Sequence, residues 1–153
     1  MKHLSHPTRS SLAQLARYLG ALALLGVGIA HIQQYYADSY SAVPTIGTLF
    51  ALNFASAAVV SLGLIAPLGR IAGRWATSIR AVLAVSGIGI AAGSLAGLLI
   101  SENGGLFGFQ EVGYRQAIVI SIVLEAATII LLSVYLAVNG LGVTRREGRL
   151  SPA

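Results

Sequence analysis

Four long apolar runs follow one another along this chain, and they constrain its fold more than any other feature. The runs cover about residues 15–35, 46–68, 76–100 and 114–138. Each run is long enough for an α-helix to cross a hydrocarbon layer, which needs roughly 20 residues for ~30 Å. We therefore predict an all-α integral membrane protein in which residues 13–139 form an antiparallel four-helix bundle.

The composition supports membrane insertion and limits the chemistry of the chain. Of 153 residues, 56% are hydrophobic and only 10% are charged, whereas a soluble domain carries about 25% charged residues. The remaining segments are predicted to be a disordered cytoplasmic tail at residues 1–12 and a basic cytoplasmic tail at residues 140–153. Because the sequence has no cysteine, disulfides, thiolate metal sites and thiol redox chemistry are excluded.

Basic residues are distributed unevenly between the two sides of the predicted bundle. Only Arg115 lies in an outer loop. The other basic residues precede the first run, lie around the start of the third run or follow the fourth run: Lys2, Arg9, Arg17, Arg70, Arg74, Arg80, Arg145, Arg146 and Arg149. Because cytoplasmic loops are enriched in Lys and Arg, both termini are predicted to be cytoplasmic, in a multi-pass protein of the bacterial inner membrane. These clusters favour anionic lipids as partners, and nothing indicates nucleic acid.

The N-terminal region also has features of a secretory signal peptide. A basic start is followed by an apolar stretch and by the small residues Gly28 and Ala30, a pattern that precedes cleavage sites. The apolar stretch, however, continues past Ala30 and ends in Tyr35 and Tyr36, which are typical of a membrane interface. This continuation favours a retained first span. Tyr40 is interpreted as a further interfacial aromatic residue.

A stripe of glycines runs along the third predicted span. Gly89, Gly93 and Gly97 recur at every fourth residue, a spacing that places them on one face of a helix and allows another backbone to approach closely. We predict tight helix packing at this stripe. The partner is either a helix of the same chain or another molecule, as in a homo-oligomer or a complex with another membrane protein.

The second outer loop combines turn residues with apolar bulk. Asn103-Gly104-Gly105 is a turn signal, and the aromatic residues Phe107 and Phe109 follow with Glu111 close behind. We expect this loop to lie in the head-group layer or to fold back as a short cap.

Each apolar span carries at least one polar residue in its outer half. Ser121, Glu125 and Thr128 share one face of the fourth span, because they are spaced at i−4 and i+3. At ~1.5 Å per residue, Glu125 lies roughly 15 Å below the outer surface. The same reckoning places His31, Asn53 and Ser94 in the outer half of the other spans: they are further candidates for binding a ligand or a proton.

Two interpretations of Glu125 remain open. In the first, the carboxyl is protonated and links helices through a hydrogen bond, because a buried polar group must find a partner. In the second, it binds or relays a proton, a cation or a ligand head group, since ionisable residues within membranes are costly and often functional. His31 and Asn53 have the same two interpretations, as a structural hydrogen-bonding residue or as part of a site.

Several chemistries have no support in the sequence. Haem ligation by two histidines would need a second deep histidine besides His31, and no zinc-ligand spacing is present. No nucleophile has a base at a recognisable spacing. No catalytic residue, metal or cofactor is therefore assigned, and an enzyme is not the favoured reading.

Three stretches resemble a known group of proteins. GIAHIQQYY, VPTIGTLFALN and GLFGFQE, which contain His31, Pro44, Asn53, Gly108 and Glu111, are similar to uncharacterised four-span membrane proteins of high-GC Gram-positive (actinobacterial) bacteria. More distantly, the layout resembles DoxX-like proteins. That kinship would imply an accessory role in membrane redox systems, although the chain has no cysteine or haem motif for it. Compared with small multidrug exporters, the first span lacks an acidic residue.

The sequence thus favours a non-enzymatic accessory or interaction subunit with an outward-facing polar pocket. The alternative is a small proton-linked transporter in which Glu125 is the titrating group. A third hypothesis is an accessory redox protein that handles a lipid or quinone.

Overall fold

The computed structural model describes residues 9–37, 39–110, 113 and 115–147. Apart from an isolated Leu106–Phe109 bridge, this part of the chain contains no β-structure. The predicted all-α class is confirmed. The helices are α1 (Arg9–Ala37), α2 (Pro44–Ile65), α3 (Leu68–Ile71), α4 (Ala76–Gly104) and α5 (Gln116–Glu147).

Four of the described helices, α1, α2, α4 and α5, are long and apolar enough to cross a membrane. Helix α4 continues beyond its predicted run to Gly104, and α5 continues to Glu147. Helix α2 instead ends at Ile65, short of the predicted residue 68, because Pro67 cannot continue the helix. The first part of the segment 140–153, predicted to be a tail, is therefore helical. Of the other predicted tail, residues 1–12, the first eight residues lie outside the described part of the chain. Residues 9–12 belong to α1.

Local chemistry sets the ends of the helices. Helix α2 begins at Pro44, a position at which the missing N–H of proline removes no intrahelical hydrogen bond. Helix α4 ends before Gly105, whose φ of 77° is in the left-handed region that glycine adopts readily. A tight turn follows, in which the backbone N–H groups of Leu106 and Phe109 donate to each other's carbonyl oxygens at 2.7 and 2.9 Å.

Helix α1 holds the arrangement together. It packs along both α2 and α5, whereas α4 packs mainly on α5 and less extensively on α2. Gly28 allows the close approach of α1 to α2, since a Cβ there would lie 3.0 Å from the Ala57 Cβ.

One half of the four helices is filled by apolar side chains, and we call it the packed half. Leu24, Leu64 and Leu132 are fully buried there. Gly87 packs against two of these leucines: a Cβ at this position would meet Leu132 Cδ1 at 2.8 Å and Leu24 Cδ2 at 3.0 Å. These contacts leave no space for a larger residue, so the packed half is a tightly filled core.

The outward faces of the helices are also apolar. Large hydrophobic side chains exposed by more than half of their surface lie on all four long helices; examples are Leu22, Val59, Val82, Val123 and Ile130. In water, such a surface would carry a large unfavourable free energy of hydration.

Candidate functional site: a polar cavity beside the packed half

A cavity of about 360 Å³ lies among α1, α2, α4 and α5, beyond the packed half. We call this part the cavity half. The cavity wall is mainly apolar, and the polar side chains along it are His31, Gln34, Asn53, Ser56, Ser94, Ser101, Ser121 and Glu125. Five of the six predicted ligand or proton candidates therefore line one cavity. The sixth, Thr128, does not line it, and its hydroxyl donates to the Leu124 carbonyl oxygen at 2.8 Å.

His31, Ser94 and Glu125 lie next to one another along the cavity. His31 Nδ1 lies 2.9 Å from the Val27 carbonyl oxygen, and His31 Nε2 lies 2.8 Å from Ser94 Oγ. The Glu125 carboxyl of α5 lies beside the Ser94 hydroxyl, within reach of a hydrogen bond. Side chains from α1, α4 and α5 thus form one connected network.

The direction of these hydrogen bonds depends on where the protons are. A carbonyl oxygen can only accept, so Nδ1 carries a proton and Nε2 of the neutral ring accepts from Ser94. Ser94 Oγ then accepts from a protonated Glu125. If His31 carries both protons, the directions reverse: Nε2 donates to Ser94, and Ser94 donates to the Glu125 carboxylate. The network accommodates a proton on either end residue.

Two buried oxygens in the cavity wall have no hydrogen-bond partner within the described part of the chain. One is Glu125 Oε2, in a residue that is only 2% exposed, and the other is Asn53 Oδ1. An unsatisfied buried polar atom costs about 1–3 kcal/mol. A molecule in the cavity that donates hydrogen bonds would remove this cost.

Gln34 and Phe50 are cavity residues that the sequence did not single out. Gln34 Nε2 lies 3.3 Å from the Ala30 carbonyl oxygen and 3.4 Å from Ser121 Oγ. Phe50 contacts the His31 ring edge to face, with the ring centroids 4.9 Å apart. The helical spacing of Gln34 from His31, three residues, was a usable signal for Gln34. Phe50 carried no signal, because an aromatic residue in an apolar run is ordinary.

An aromatic cluster lies at the end of the cavity where the helices meet their connecting segments. Tyr40 stacks on Phe50 and contacts Phe109 edge to face. The Tyr40 hydroxyl accepts a 2.7 Å hydrogen bond from Arg115 Nη2, and Leu106 also lines the cavity. We call Tyr40, Leu106 and Phe109 the cap. Tyr40 is only 4% exposed, so its interpretation as an interfacial residue is replaced by a structural one.

The remaining outer-loop candidates differ in position. Phe109 belongs to the cap, and Ser101 Oγ donates to its carbonyl oxygen at 3.3 Å. Phe107 does not line the cavity. Its side chain is 68% exposed, and its φ is 51°. Glu111 lies outside the described residues.

The glycine stripe lines the cavity instead of packing against another helix of the chain. A Cβ added at Gly89 or Gly93 would have no heavy atom of the described residues within 4 Å. A Cβ at Gly97 would meet only Leu106 Cδ2, at 3.7 Å. The expected close packing within the chain is therefore corrected. Packing of Gly89, Gly93 and Gly97 against a second molecule stays a prediction.

Within the described residues, no group of three or more His, Asp or Glu side chains is placed to hold a metal ion. The cavity offers hydrogen-bond acceptors and an apolar wall. These are properties of a binding site.

The fold and the cavity together define an all-α protein with four helices suited to a membrane and a polar site between them. A comparison with protein-family models finds no match, and comparisons with curated proteins and with solved structures also find none. The resemblance to small four-span and DoxX-like proteins therefore stays a prediction.

Proposed function

We propose that this chain is a multi-pass protein of the bacterial plasma membrane, with its four long helices antiparallel and both termini in the cytoplasm. The apolar outward faces of the helices support this proposal, since lipid is the solvent in which such faces are stable. The distribution of basic residues supports the orientation. In this arrangement the cavity half lies toward the outside of the cell.

The absence of cysteine allows a direct test of this topology. Single cysteines are introduced at Ser41 and Gly113, which would face outside, and at Gly69, which would face the cytoplasm. All three residues are exposed. A membrane-impermeant maleimide should label the first two on intact spheroplasts, and the third only after permeabilisation. Labelling of Gly69→Cys on intact spheroplasts would contradict the proposed orientation.

The function that the cavity supports best is binding of a small molecule by a non-enzymatic accessory or interaction subunit. The observation that carries this proposal is Glu125, a buried carboxyl that faces the cavity with one oxygen lacking a partner in the described structure. Intramembrane carboxyl groups are costly, and they persist mainly where they bind or relay something.

Native mass spectrometry of the protein, ejected from nanodiscs made directly from native membranes, tests the binding. Wild type should carry a small molecule, and Glu125→Gln should lose it while keeping its fold, because a neutral amide replaces a carboxyl of similar shape. Thr128→Val is the matched control: Thr128 is buried one turn away, and its hydroxyl donates to the Leu124 carbonyl oxygen of its own helix. Equal binding in all three proteins would remove Glu125 from the proposed site.

The accessory role has its own test. Purification from native membranes should recover the chain with another membrane protein in a fixed ratio. Recovery of the chain alone, or only with further copies of itself, would contradict the role of a subunit and leave the binding proposal intact.

A second candidate function, a small proton-linked transporter, is favoured by the Ser94 hydroxyl that joins His31 to Glu125. The proton can reside on His31 or on Glu125. Binding of a molecule in the cavity can therefore be coupled to the release of a proton from Glu125. Infrared spectroscopy of nanodisc samples follows the C=O band of the protonated Glu125 carboxyl, with Glu125→Gln as the reference. A transporter requires that band to titrate and to shift when Ser94 is changed to Ala. A band that is constant with pH contradicts it.

A further inference from the structure

The side of the cavity between α2 and α4 is open. Leu49 and Leu52 on α2 and Gly89 and Gly93 on α4 all line the cavity, and all are exposed at the protein surface. Leu52, for example, is 55% exposed. Residues that border a cavity and the surface at once mark an opening, and we call these four residues the α2–α4 gap.

The same pair of helices is closed in the packed half. There Leu83 of α4 fills the space beside Gly63 of α2, so that a Cβ at Gly63 would lie 2.9 Å from Leu83 Cδ1. At Gly89 and Gly93 no heavy atom of the described residues is within 4 Å of the corresponding position. The gap therefore results from missing side chains at a specific level of the helices.

The end of the cavity toward the connecting segments is covered. Tyr40 is buried, stacks on Phe50 and is held by Arg115, while Phe109 contacts its ring. An opening that faces sideways and a covered end imply entry from the layer that surrounds the helices. In the proposed topology, that layer is the hydrocarbon of the bilayer.

The unpartnered atoms in the wall indicate the polar end of the occupant. Glu125 Oε2 and Asn53 Oδ1 are buried oxygens without a partner in the described part of the chain, and an amide oxygen only accepts hydrogen bonds. The rest of the wall is mostly aliphatic or aromatic, as in typical small-molecule sites. The complementary molecule has an apolar body and a polar end that donates hydrogen bonds.

We propose that the cavity takes a lipid-soluble molecule with a hydrogen-bond-donating end, such as an alcohol or an amine, which enters from the bilayer through the α2–α4 gap. This proposal rests on the proposed membrane insertion and ligand binding, and it differs from the outward-facing pocket expected from the sequence. The donating end contacts Glu125 and Asn53, and the apolar body lies toward the gap.

The first experiment tests the route of entry. Trp75 is the only tryptophan of the chain, so a Trp75→Phe, Phe50→Trp protein reports from the cavity wall by fluorescence. In nanodiscs, phosphatidylcholine brominated on its acyl chains should quench this tryptophan strongly, and aqueous iodide should quench it weakly. The reverse pattern would overturn lateral entry and leave the binding proposal intact.

A side chain placed in the gap should block this quenching. Gly93→Leu adds bulk where the structure has open space, so the fold should persist, and quenching by the brominated lipid should fall. Gly69→Leu is the matched control, because Gly69 is equally free of neighbours but does not line the cavity. Unchanged quenching in Gly93→Leu would show that the gap is not the route.

The second experiment tests the chemistry of the occupant with three probes that have the same number of carbon atoms: decanol, decylamine and decan-2-one, a methyl ketone. In the Trp75→Phe, Phe50→Trp protein, the two hydrogen-bond donors should displace brominated acyl chains and thus relieve quenching. The ketone only accepts hydrogen bonds and should not relieve it. Decanol and decylamine together distinguish a neutral from a cationic donor. Asn53→Leu should weaken the relief by both donors.

Two outcomes of the second experiment would contradict the proposed occupant. Equal relief by all three probes would show that the cavity does not select donors. Relief by none, with quenching by brominated lipid intact, would identify a phospholipid acyl chain as the resident molecule. Neither result bears on whether Glu125 is needed to bind another molecule. Native mass spectrometry of Glu125→Gln decides that question separately.

Discussion

The two halves of the four helices are built from the same elements but differ in what fills the space between them. In the packed half, Leu24, Leu64 and Leu132 are fully buried, and Leu24 and Leu132 leave no room for a side chain at Gly87. In the cavity half, the facing positions carry glycine, serine and asparagine, and a cavity of about 360 Å³ remains. The volume of the side chains at these levels therefore distinguishes the packed half from the cavity half.

The same residue type has opposite roles in the two halves. Gly87 permits close contact, because Leu132 and Leu24 occupy the space that a side chain would need. Gly93, almost two turns further along the same helix, borders open space. A substitution at each position therefore distinguishes a packing glycine from a glycine that keeps a cavity open.

Loss of a large side chain from the packed half should have the largest effect. Leu132 is fully buried, and Leu132→Ala should cost about 2–5 kcal/mol of the free energy of unfolding. Titration with sodium dodecyl sulfate in mixed micelles measures this quantity. Ile130 lies on the same helix but is 62% exposed, so Ile130→Ala should change the free energy of unfolding little. Similar losses in both variants would contradict the assignment of the packed half.

Added volume should separate the two glycines. Gly87→Val should cost about 1–3 kcal/mol in the same titration, because the new methyl groups overlap Leu132 and Leu24. Gly93→Val should be close to neutral, since it enters open space. Equal destabilisation would mean that a helix outside the described structure, such as one from a second copy, packs on the stripe.

Removal of the central hydroxyl of the network should have a smaller effect. Ser94→Ala breaks the contact to His31 Nε2 and the contact to Glu125. We expect a loss of about 0.6–1.7 kcal/mol, the range found for polar contacts between membrane helices. A double-mutant cycle with Glu125→Gln should show that the two losses are not additive, because the residues share one network. Strict additivity would show that Ser94 and Glu125 act independently.

The cap should contribute least to stability, and its main effect should be to restrict the access of water to the cavity. Tyr40→Phe removes the hydroxyl that Arg115 holds at 2.7 Å, at a cost of about 0.5–1.5 kcal/mol or less. Iodide quenching of a tryptophan at position 50 should rise, because the ring at position 40 is less firmly fixed. Tyr36→Phe, at a 75% exposed residue, is the control and should leave quenching unchanged.

Sequence patterns were sufficient for the helices and for much of the cavity wall, for a physical reason. A run of apolar residues without internal proline satisfies its backbone only as a helix in lipid, and helical rise converts residue numbers into depth. That conversion predicted that His31, Asn53, Ser94 and Glu125 lie toward the same side of the bundle, and the structure places all four on one cavity.

The glycine stripe and Tyr40 show where such patterns are insufficient. A glycine at every fourth residue defines a face of the helix, but the pattern is identical whether a backbone or a cavity lies opposite. The outcome depends on side chains distant in sequence, such as Leu83 beside Gly63 and Leu132 beside Gly87. Tyr40 follows the first run as an interfacial tyrosine would, and only its ring contacts with Phe50 and Phe109 reveal its place in the cap.

A structure determined in a lipid nanodisc would locate the Glu125 carboxyl relative to the bilayer. We expect four membrane-spanning helices, with Oε2 of Glu125 facing a cavity that opens between α2 and α4 and contains density for a bound molecule. A Glu125 side chain directed at acyl chains, or a cavity closed by repacked side chains, would contradict this expectation.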